Sequence, residues 1–301
     1  MAWRPLAVHL DNGWNTELSV MNIERAVKKL GVDLYTHVIN WEEFKDLQLA
    51  FLKASTPDSE IPTDLAIRAI LYKVASQERI KYILEGHTFR TEGKIPPLWS
   101  YGDPRYLKDI YNKFSLTKKK FQTYPYMSNL DRIFYGFIRN IKIVRPLYYL
   151  DYRKDEVETV LSENLGWKPY GGKHYESVYT RFFQSFLLIR KFGIDKRKVH
   201  LSAQIRSNQI NRKEALEIIK ELPLDKIQMK EDIIYVMKKL NLDSVSFNKI
   251  LRERPKTFLE YKNNYFIMSL LSKPLKMFYK SFSTSTPQIL NLMELEKDST
   301  K

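Results

Sequence analysis

Apolar positions along the first third of the chain switch repeatedly between a strand-like run and a helical spacing. Leu6-Ala7-Val8-His9-Leu10 reads as a short buried strand, closed by the turn signal Asp11-Asn12-Gly13. Residues 15–30 then place Leu18, Ile23, Val27 and Leu30 on one helical face and stop at Gly31. Residues 34–39 predict a second strand and residues 41–54 a second helix. Pro62 occupies a favoured first helical position, and Leu65, Ala69, Tyr72 and Val74 carry that helix to about Gln77. Residues 80–84 predict a third strand, ending at Glu85-Gly86-His87. Strand and helix alternating with short connections predict an α/β fold with a doubly wound parallel sheet.

Beyond residue 95 the pattern loosens. Helices are expected over residues 104–114 and from about Asn129, and residues 141–147 form a further strand candidate. After Leu150 no strand is expected. Residues 153–164, 175–192, 212–222 and 231–240 all read as helices, and residues 243–283 as helical in part, broken at Pro255 and Pro274. From Thr284 the chain is polar with little periodicity, and a disordered tail is expected there. The resulting division is an α/β domain over 1–150, a helical substrate-binding region over 151–222 and a helical extension over 223–301. No internal repeat is visible.

Composition narrows the classes. A chain of 301 residues with 44% hydrophobic content can bury a sizeable core. No run of about twenty apolar residues predicts a membrane span, and Met1-Ala2-Trp3-Arg4-Pro5 lacks the apolar stretch of a secretory signal. Zero cysteines exclude a disulfide, a thiolate-held zinc and a thiol nucleophile in this chain. The simplest setting is cytoplasmic. The net charge of +15 and 13% aromatic content fit phosphate-rich ligands, nucleic acid or an acidic surface. The basic residues are spread along the chain, however, which a solvated lysine-rich surface explains equally well.

In an open parallel sheet, ligands bind beyond the carboxyl ends of the strands, and phosphates usually sit on a glycine-rich turn after the first strand. Here that turn is Asp11-Asn12-Gly13-Trp14, with one glycine and an acidic side chain. Neither G-x-x-x-x-G-K-[ST] nor G-x-G-x-x-G occurs. A sheet that opens this abruptly leads us to expect an earlier strand and loop outside the chain.

Many blocks, in order, resemble one family. Residues 6–15 and 36–44 are similar to the second and third strands of the N-acetyl sugar amidotransferases, members of the ATP pyrophosphatase (PP-loop) superfamily with NAD synthetase and GMP synthetase. Glu60-Ile61-Pro62-Thr63-Asp64, Tyr82-Ile83-Leu84-Glu85-Gly86-His87, Thr91-Glu92-Gly93 and Trp99-Ser100-Tyr101-Gly102-Asp103 extend the match. It continues through Gly171-Gly172-Lys173-His174-Tyr175-Glu176-Ser177 to Phe192-Gly193-Ile194-Asp195-Lys196-Arg197 and His200-Leu201-Ser202. The resemblance covers roughly residues 1–222.

The resemblance implies an adenine nucleotide alpha hydrolase-like sheet and an ATP- and Mg²⁺-dependent reaction. ATP adenylates the amide oxygen of an acetamido group on an acidic or nucleotide-linked N-acetyl sugar, releasing pyrophosphate. Ammonia from a separate glutaminase, relayed by a cyclase-like partner, then displaces AMP and leaves an acetamidino group. The products belong to lipopolysaccharide O-antigen or related surface sugars. Three departures stand out. The S-G-G-x-D-S phosphate loop and a preceding cysteine-containing segment have no counterpart here, and Ser207-Asn208-Gln209 stands where Ser-Gly-Gln is expected. A misplaced start, a truncated gene or a split gene would account for the first two, and weak or absent ATP turnover is the expectation for the chain as given.

The resemblance also implies site residues. Asp11 and Asn12, at the carboxyl end of the first strand, are expected to contact ATP, although Asp-Asn-Gly is also an ordinary turn. Gly86 and His87 follow the third strand, Arg68 lies on the helix before it, and Arg145 closes the later strand; each is an ATP candidate, with a solvated face or structural histidine as the plain alternative. Glu92 resembles the carboxylate that holds Mg²⁺ in NAD synthetase-like relatives. Lys173, His174 and Glu176, with Arg181 on the same following helix, are expected to bind the acidic sugar. Phe182, Phe183, Phe186 and Leu187, at helical spacing, are core. Catalytic residues are not identified. Two other readings stay open: a remnant or split-gene half that binds sugar or partner without using ATP, and a PP-loop RNA-modifying protein suggested by the charge. No RNA-binding motif supports the latter.

Overall fold

The computed structural model describes residues 4–93 and 95–271, together with Pro274 and Met277. Two compact units interleave along the sequence. One comprises the described residues within Met1–Phe44, Arg90–Gly93 and Tyr152–Glu253, the other those within Lys45–Phe89, Lys94–Asp151 and Arg254–Lys301.

In the first unit, β1 (Leu6–Asp11) and β2 (Asp33–Val38) pair in parallel, from Leu6 opposite Asp33 to Asp11 opposite Val38. The helix Glu17–Leu30 connects them, as parallel pairing requires. Its ends follow from sequence: the Thr16 hydroxyl accepts from the Ser19 N–H, and Gly31 closes it at φ 60°. Asn22, buried on this helix, donates to the Lys168 carbonyl at 2.8 Å and accepts from the Lys168 N–H at 3.0 Å. That pair of hydrogen bonds ties the connecting helix to the chain just beyond the helix Lys154–Leu165. The expected helix over 175–192 is present as Val178–Phe182, a π-helical turn Phe183–Leu187 and Leu188–Phe192. Phe182, Phe183 and Leu187 are buried as expected, and half-buried Phe186 stacks on Phe247 at 6.4 Å. Trp14, 1% exposed, packs against Tyr179 at 5.1 Å and Trp41 at 5.2 Å. The helices Lys226–Lys239 and Ser244–Arg252 complete this core through Val236, Leu240, Phe247 and Ile250.

The second unit holds β3 (Tyr82–Leu84) and β4 (Lys142–Val144), again parallel. Both are shorter than the sequence pattern suggests, for local reasons. Ile80 is drawn into the end of the helix Ile61–Gln77, its N–H bonding the Ala75 carbonyl at 2.8 Å after Arg79 turns left-handed at φ 58°. At the other strand, Pro146 lacks an N–H and restricts Arg145, so the chain leaves the ladder for a 3₁₀ turn over Pro146–Tyr148. Buried carboxylates organise the loops. Asp46 accepts from the Ser115 and Thr117 hydroxyls and the Leu116 N–H. Asp103 caps the helix Pro104–Phe114 while accepting from the Asn264 N–H at 2.8 Å.

No helix among the described residues is long and apolar enough to cross a membrane. The expected disorder from Thr284 lies outside the described residues.

Candidate functional site

Two glycine-bearing segments of the first unit meet on one helix. The helix Arg197–Arg206 presents buried His200. Gly93 packs directly on it, at φ 70°, where a Cβ would meet the Val199 Cγ1 at 2.6 Å and its carbonyl oxygen at 2.7 Å. Only glycine allows this backbone angle and approach together. The same contact is secured at the end of this helix, where the Ser207 hydroxyl donates to the Arg90 carbonyl at 3.1 Å. The next residue, Asn208, is left-handed at φ 56°. This is the position where the resemblance leads one to expect glycine, and asparagine is among the few other residues that adopt that conformation readily.

The second segment runs from Gly171 to Ser177. Tyr175 is buried, donates to the Pro223 carbonyl at 2.7 Å and shares a 2.7 Å bond with the Ser185 hydroxyl. Its ring covers Gly172. On the far side, the Thr16 N–H bonds the Glu176 carbonyl and the Val178 N–H bonds the Trp14 carbonyl, each at 2.9 Å. The turn after β1 therefore lies against the loop's end. Held at both sides, His174 sits at φ 63°, a left-handed angle uncommon outside glycine.

The side chains converge. Lys173 Nζ lies 2.7 Å from Glu92 Oε1 and donates to the Thr91 carbonyl at 2.9 Å. His174 Nε2 lies 3.6 Å from Glu92 Oε2, and its Nδ1 lies 3.6 Å from Glu176 Oε1. The His174 and His200 rings are 6.1 Å apart. Burial disfavours charge on Glu92, but His174 and Lys173 outweigh it and hold the carboxyl far below its usual range. Burial likewise opposes charge on His174, yet the Glu176 and Glu92 carboxylates raise it to about 9. His200 is pushed down to about 3, first by burial and then by the positive charge of Lys173 and His174. Burial lowers Lys173, with Glu92 partly offsetting it.

These shifts fix a pH dependence. His174, raised above its ordinary 6.5, contributes stability that is full below pH 6.5 and lost as pH rises through about 9. His200, lowered from 6.5, costs stability as pH falls below 6.5 because only the unfolded chain takes up the proton. Glu92, lowered from 4.5, also loses its contribution on acidification. In EDTA-treated protein the cluster's contribution should peak near pH 6.5. Imidazole ¹H–¹⁵N spectra at pH 7.5 should show His174 doubly protonated and His200 neutral. A His174 midpoint near 6.5 would refute the arrangement.

The sequence-expected residues divide among four places. Lys173, His174, Glu176 and Glu92 form the cluster. Arg181 is turned to buried Asp232, with Nε and Nη2 each 2.7 Å from a carboxylate oxygen. Asp11 ends β1 and accepts from the Gly13 N–H at 2.8 Å, while buried Asn12 accepts from the Trp14 N–H at 3.2 Å. Arg68, Gly86, His87 and Arg145 belong to the second unit, where Arg145 pairs with Glu85 at 2.8 Å. His200 is the member that reasoning from sequence left out, although it stands in one of the matching blocks and is one of only five histidines.

As a place for Mg²⁺, Glu92 fits poorly. Mg²⁺ takes oxygen ligands and keeps several waters, whereas Glu92 has an ammonium on one oxygen and the His174 imidazole beside the other.

Residues 176–275 match the family described as LPS biosynthesis protein WbpG-like, C-terminal domain. Through this third of its length, the chain is similar to LPS biosynthesis proteins. No match to a curated protein was found. The WbpG-like region begins at Glu176 and takes in Arg181, His200 and Asp232, so it supplies part of the cluster. It runs well beyond residue 222, where the resemblance read from sequence stops, and covers the helices Lys226–Lys239 and Ser244–Arg252.

Proposed function

We propose that this protein acts in surface-polysaccharide biosynthesis as an ATP-dependent N-acetyl sugar amidotransferase. The observation that carries the reading is the Lys173–Glu92 contact at 2.7 Å. It joins two blocks of the family resemblance that lie 81 positions apart in the chain (173 − 92 = 81). The WbpG-like match to an LPS biosynthesis protein family supports the pathway. The strand pairs β1–β2 and β3–β4, each a separate two-stranded sheet, are parallel, the pairing that a doubly wound PP-loop-type α/β class requires.

In this reading Lys173 and protonated His174 bind the carboxylate or phosphates of an acidic or nucleotide-linked N-acetyl sugar, and Glu176 accepts from a sugar hydroxyl. Charge-assisted contacts of this kind give both affinity and orientation. The chemistry needs them, because an amide oxygen leaves badly. Adenylation by ATP, brought as its magnesium complex, turns that oxygen into the oxygen of a departing AMP. Ammonia from a partner glutaminase and cyclase-like subunit then forms the new carbon–nitrogen bond and loses a proton, leaving the acetamidino group. The cytoplasm, which supplies ATP, is the matching compartment.

A second reading also fits the cluster, in which Lys173, His174 and Glu176 hold an acidic ligand with no nucleotide step. In it the protein binds sugar or a partner without using ATP. Incubating the protein with ATP, MgCl₂, ammonium chloride and UDP-linked N-acetyl sugars separates the two. Pyrophosphate release, with an oxygen-to-NH exchange in the sugar by mass spectrometry, supports the amidotransferase. Sugar binding lost in Lys173→Ala, without pyrophosphate, supports the second. Neither turnover nor sugar binding would reject both.

A further inference from the structure

Within the cluster, three potential metal ligands face one another. A carboxylate oxygen of Glu92 and one ring nitrogen from each of His174 and His200 all lie within 4.8 Å of one another. Between His174 Nε2 and Glu92 Oε2 the distance is 3.6 Å. Tetrahedral zinc with bonds of about 2.0–2.1 Å separates its ligands by roughly 3.4 Å. No edge exceeds 4.8 Å, so side-chain adjustment of at most about 1.4 Å closes the set.

The surroundings suit ligation as well as the ligands do. Glu92 divides its two oxygens: Oε1 is taken by Lys173, and Oε2 faces His174. His174 divides its two nitrogens in the same way, with Nε2 toward Glu92 and Nδ1 toward Glu176. A metal-bound histidine whose other nitrogen meets a carboxylate is the usual outer support of such sites, fixing the tautomer and raising ligand basicity. Buried His200 makes no side-chain hydrogen bond among the described residues, leaving its imidazole for a ligand. Ligation takes both imidazoles in their deprotonated form, so metal binding displaces the proton that His174 otherwise carries between Glu92 and Glu176. Gly93 and the left-handed His174 set these groups in place through the backbone, so the geometry does not depend on mobile surface side chains.

We propose that Glu92, His174 and His200 form a binding site for a divalent transition metal, zinc or a close relative. Two imidazoles and one carboxylate select such ions over Mg²⁺, which prefers oxygen alone. Three protein ligands leave a fourth position open, as in catalytic rather than structural zinc sites. Glu92 and Glu176 contribute two negative charges, Lys173 one positive and the metal two. The net single positive charge directs an anion, hydroxide or an acidic group of a substrate, to the open position. This inference stands on the cluster's geometry and does not require the amidotransferase reading.

The test is titration of EDTA-stripped, folded protein at neutral pH with Co²⁺, followed by its visible absorption, and with Zn²⁺ against a chromophoric chelator. One equivalent should bind, with a tetrahedral cobalt spectrum and no competition from millimolar Mg²⁺. His200→Ala and the half-exposed His174→Ala should each abolish stoichiometric binding. Glu176→Gln should weaken it about 10–100-fold while leaving the stoichiometry at one. Circular dichroism identifies any variant that fails to fold, and the partial loss in Glu176→Gln then carries the test alone. No stoichiometric uptake by the folded protein overturns the proposal. So does uptake that survives both histidine substitutions, which would place the metal elsewhere.

Discussion

Arg181→Met should destabilise the protein by about 3–5 kcal/mol, the cost of stranding a buried charge. Asp232 is 2% exposed and its carboxylate is held by the two parallel N–H bonds of the Arg181 fork, with Gln228 Nε2 adding a bond at 3.1 Å. Methionine keeps much of the arginine's apolar stem but offers no donor, leaving the buried carboxylate with the neutral Gln228 amide. Against a total stability of about 5–15 kcal/mol, that loss is large. Urea unfolding followed by circular dichroism reads it directly. In Arg181→Met/Asp232→Leu most of the loss should return, because two apolar groups can replace a buried pair at little net cost. A single variant within about 0.5 kcal/mol of the parent would mean the pair is solvated like a surface salt bridge. The double variant also separates the two roles of Arg181. Recovered stability with intact sugar binding makes it a clamp between the helices Val178–Phe182 and Lys226–Lys239. Recovered stability with lost sugar binding returns it to the substrate site expected from sequence.

Gly93→Ala should be the most damaging small substitution near the cluster. The left-handed angle alone costs a non-glycine residue about 1–3 kcal/mol. The new methyl would in addition meet the Val199 carbonyl at 2.7 Å, an atom fixed in a helix. Relief requires the Thr91–Gly93 segment to lift away from the helix that carries His200, and Glu92 leaves with it. The His174 midpoint should then fall from about 9 toward 6.5 as one of its two carboxylates withdraws. Gly193→Ala is the control. That glycine ends the helix Leu188–Phe192 at φ 66°, and a methyl added there would meet nothing within 4 Å. It should show the conformational cost of about 1–2 kcal/mol and no change in His174. Equal effects in the two variants would show that Gly93 matters only for its angle.

Much of the local structure was legible because it depends on neighbours in sequence. Helical spacing from Leu18 to Leu30 and the stop at Gly31 were enough to mark the first crossover helix and its end. Arg145-Pro146 shortened β4 by a rule visible in the sequence, since proline lacks the ladder's N–H. The shortening of β3 was less visible, because it turns on Arg79 adopting a positive φ that the sequence does not mark. The match to WbpG-like proteins likewise extends over a region whose sequence, read alone, is only helical and basic.

The site followed the same division. Sequence marked Lys173, His174, Glu176 and Glu92 through the family resemblance. It determined which groups have the charge and donors for an acidic ligand. Only the tertiary structure decided that Glu92 meets Lys173, that His200 completes the group and that Arg181 serves Asp232. The physical reason is that these pairings turn on close backbone approach at Gly93 and on a left-handed turn at His174. Both are consequences of packing between segments far apart in the chain, which no local pattern of residues encodes.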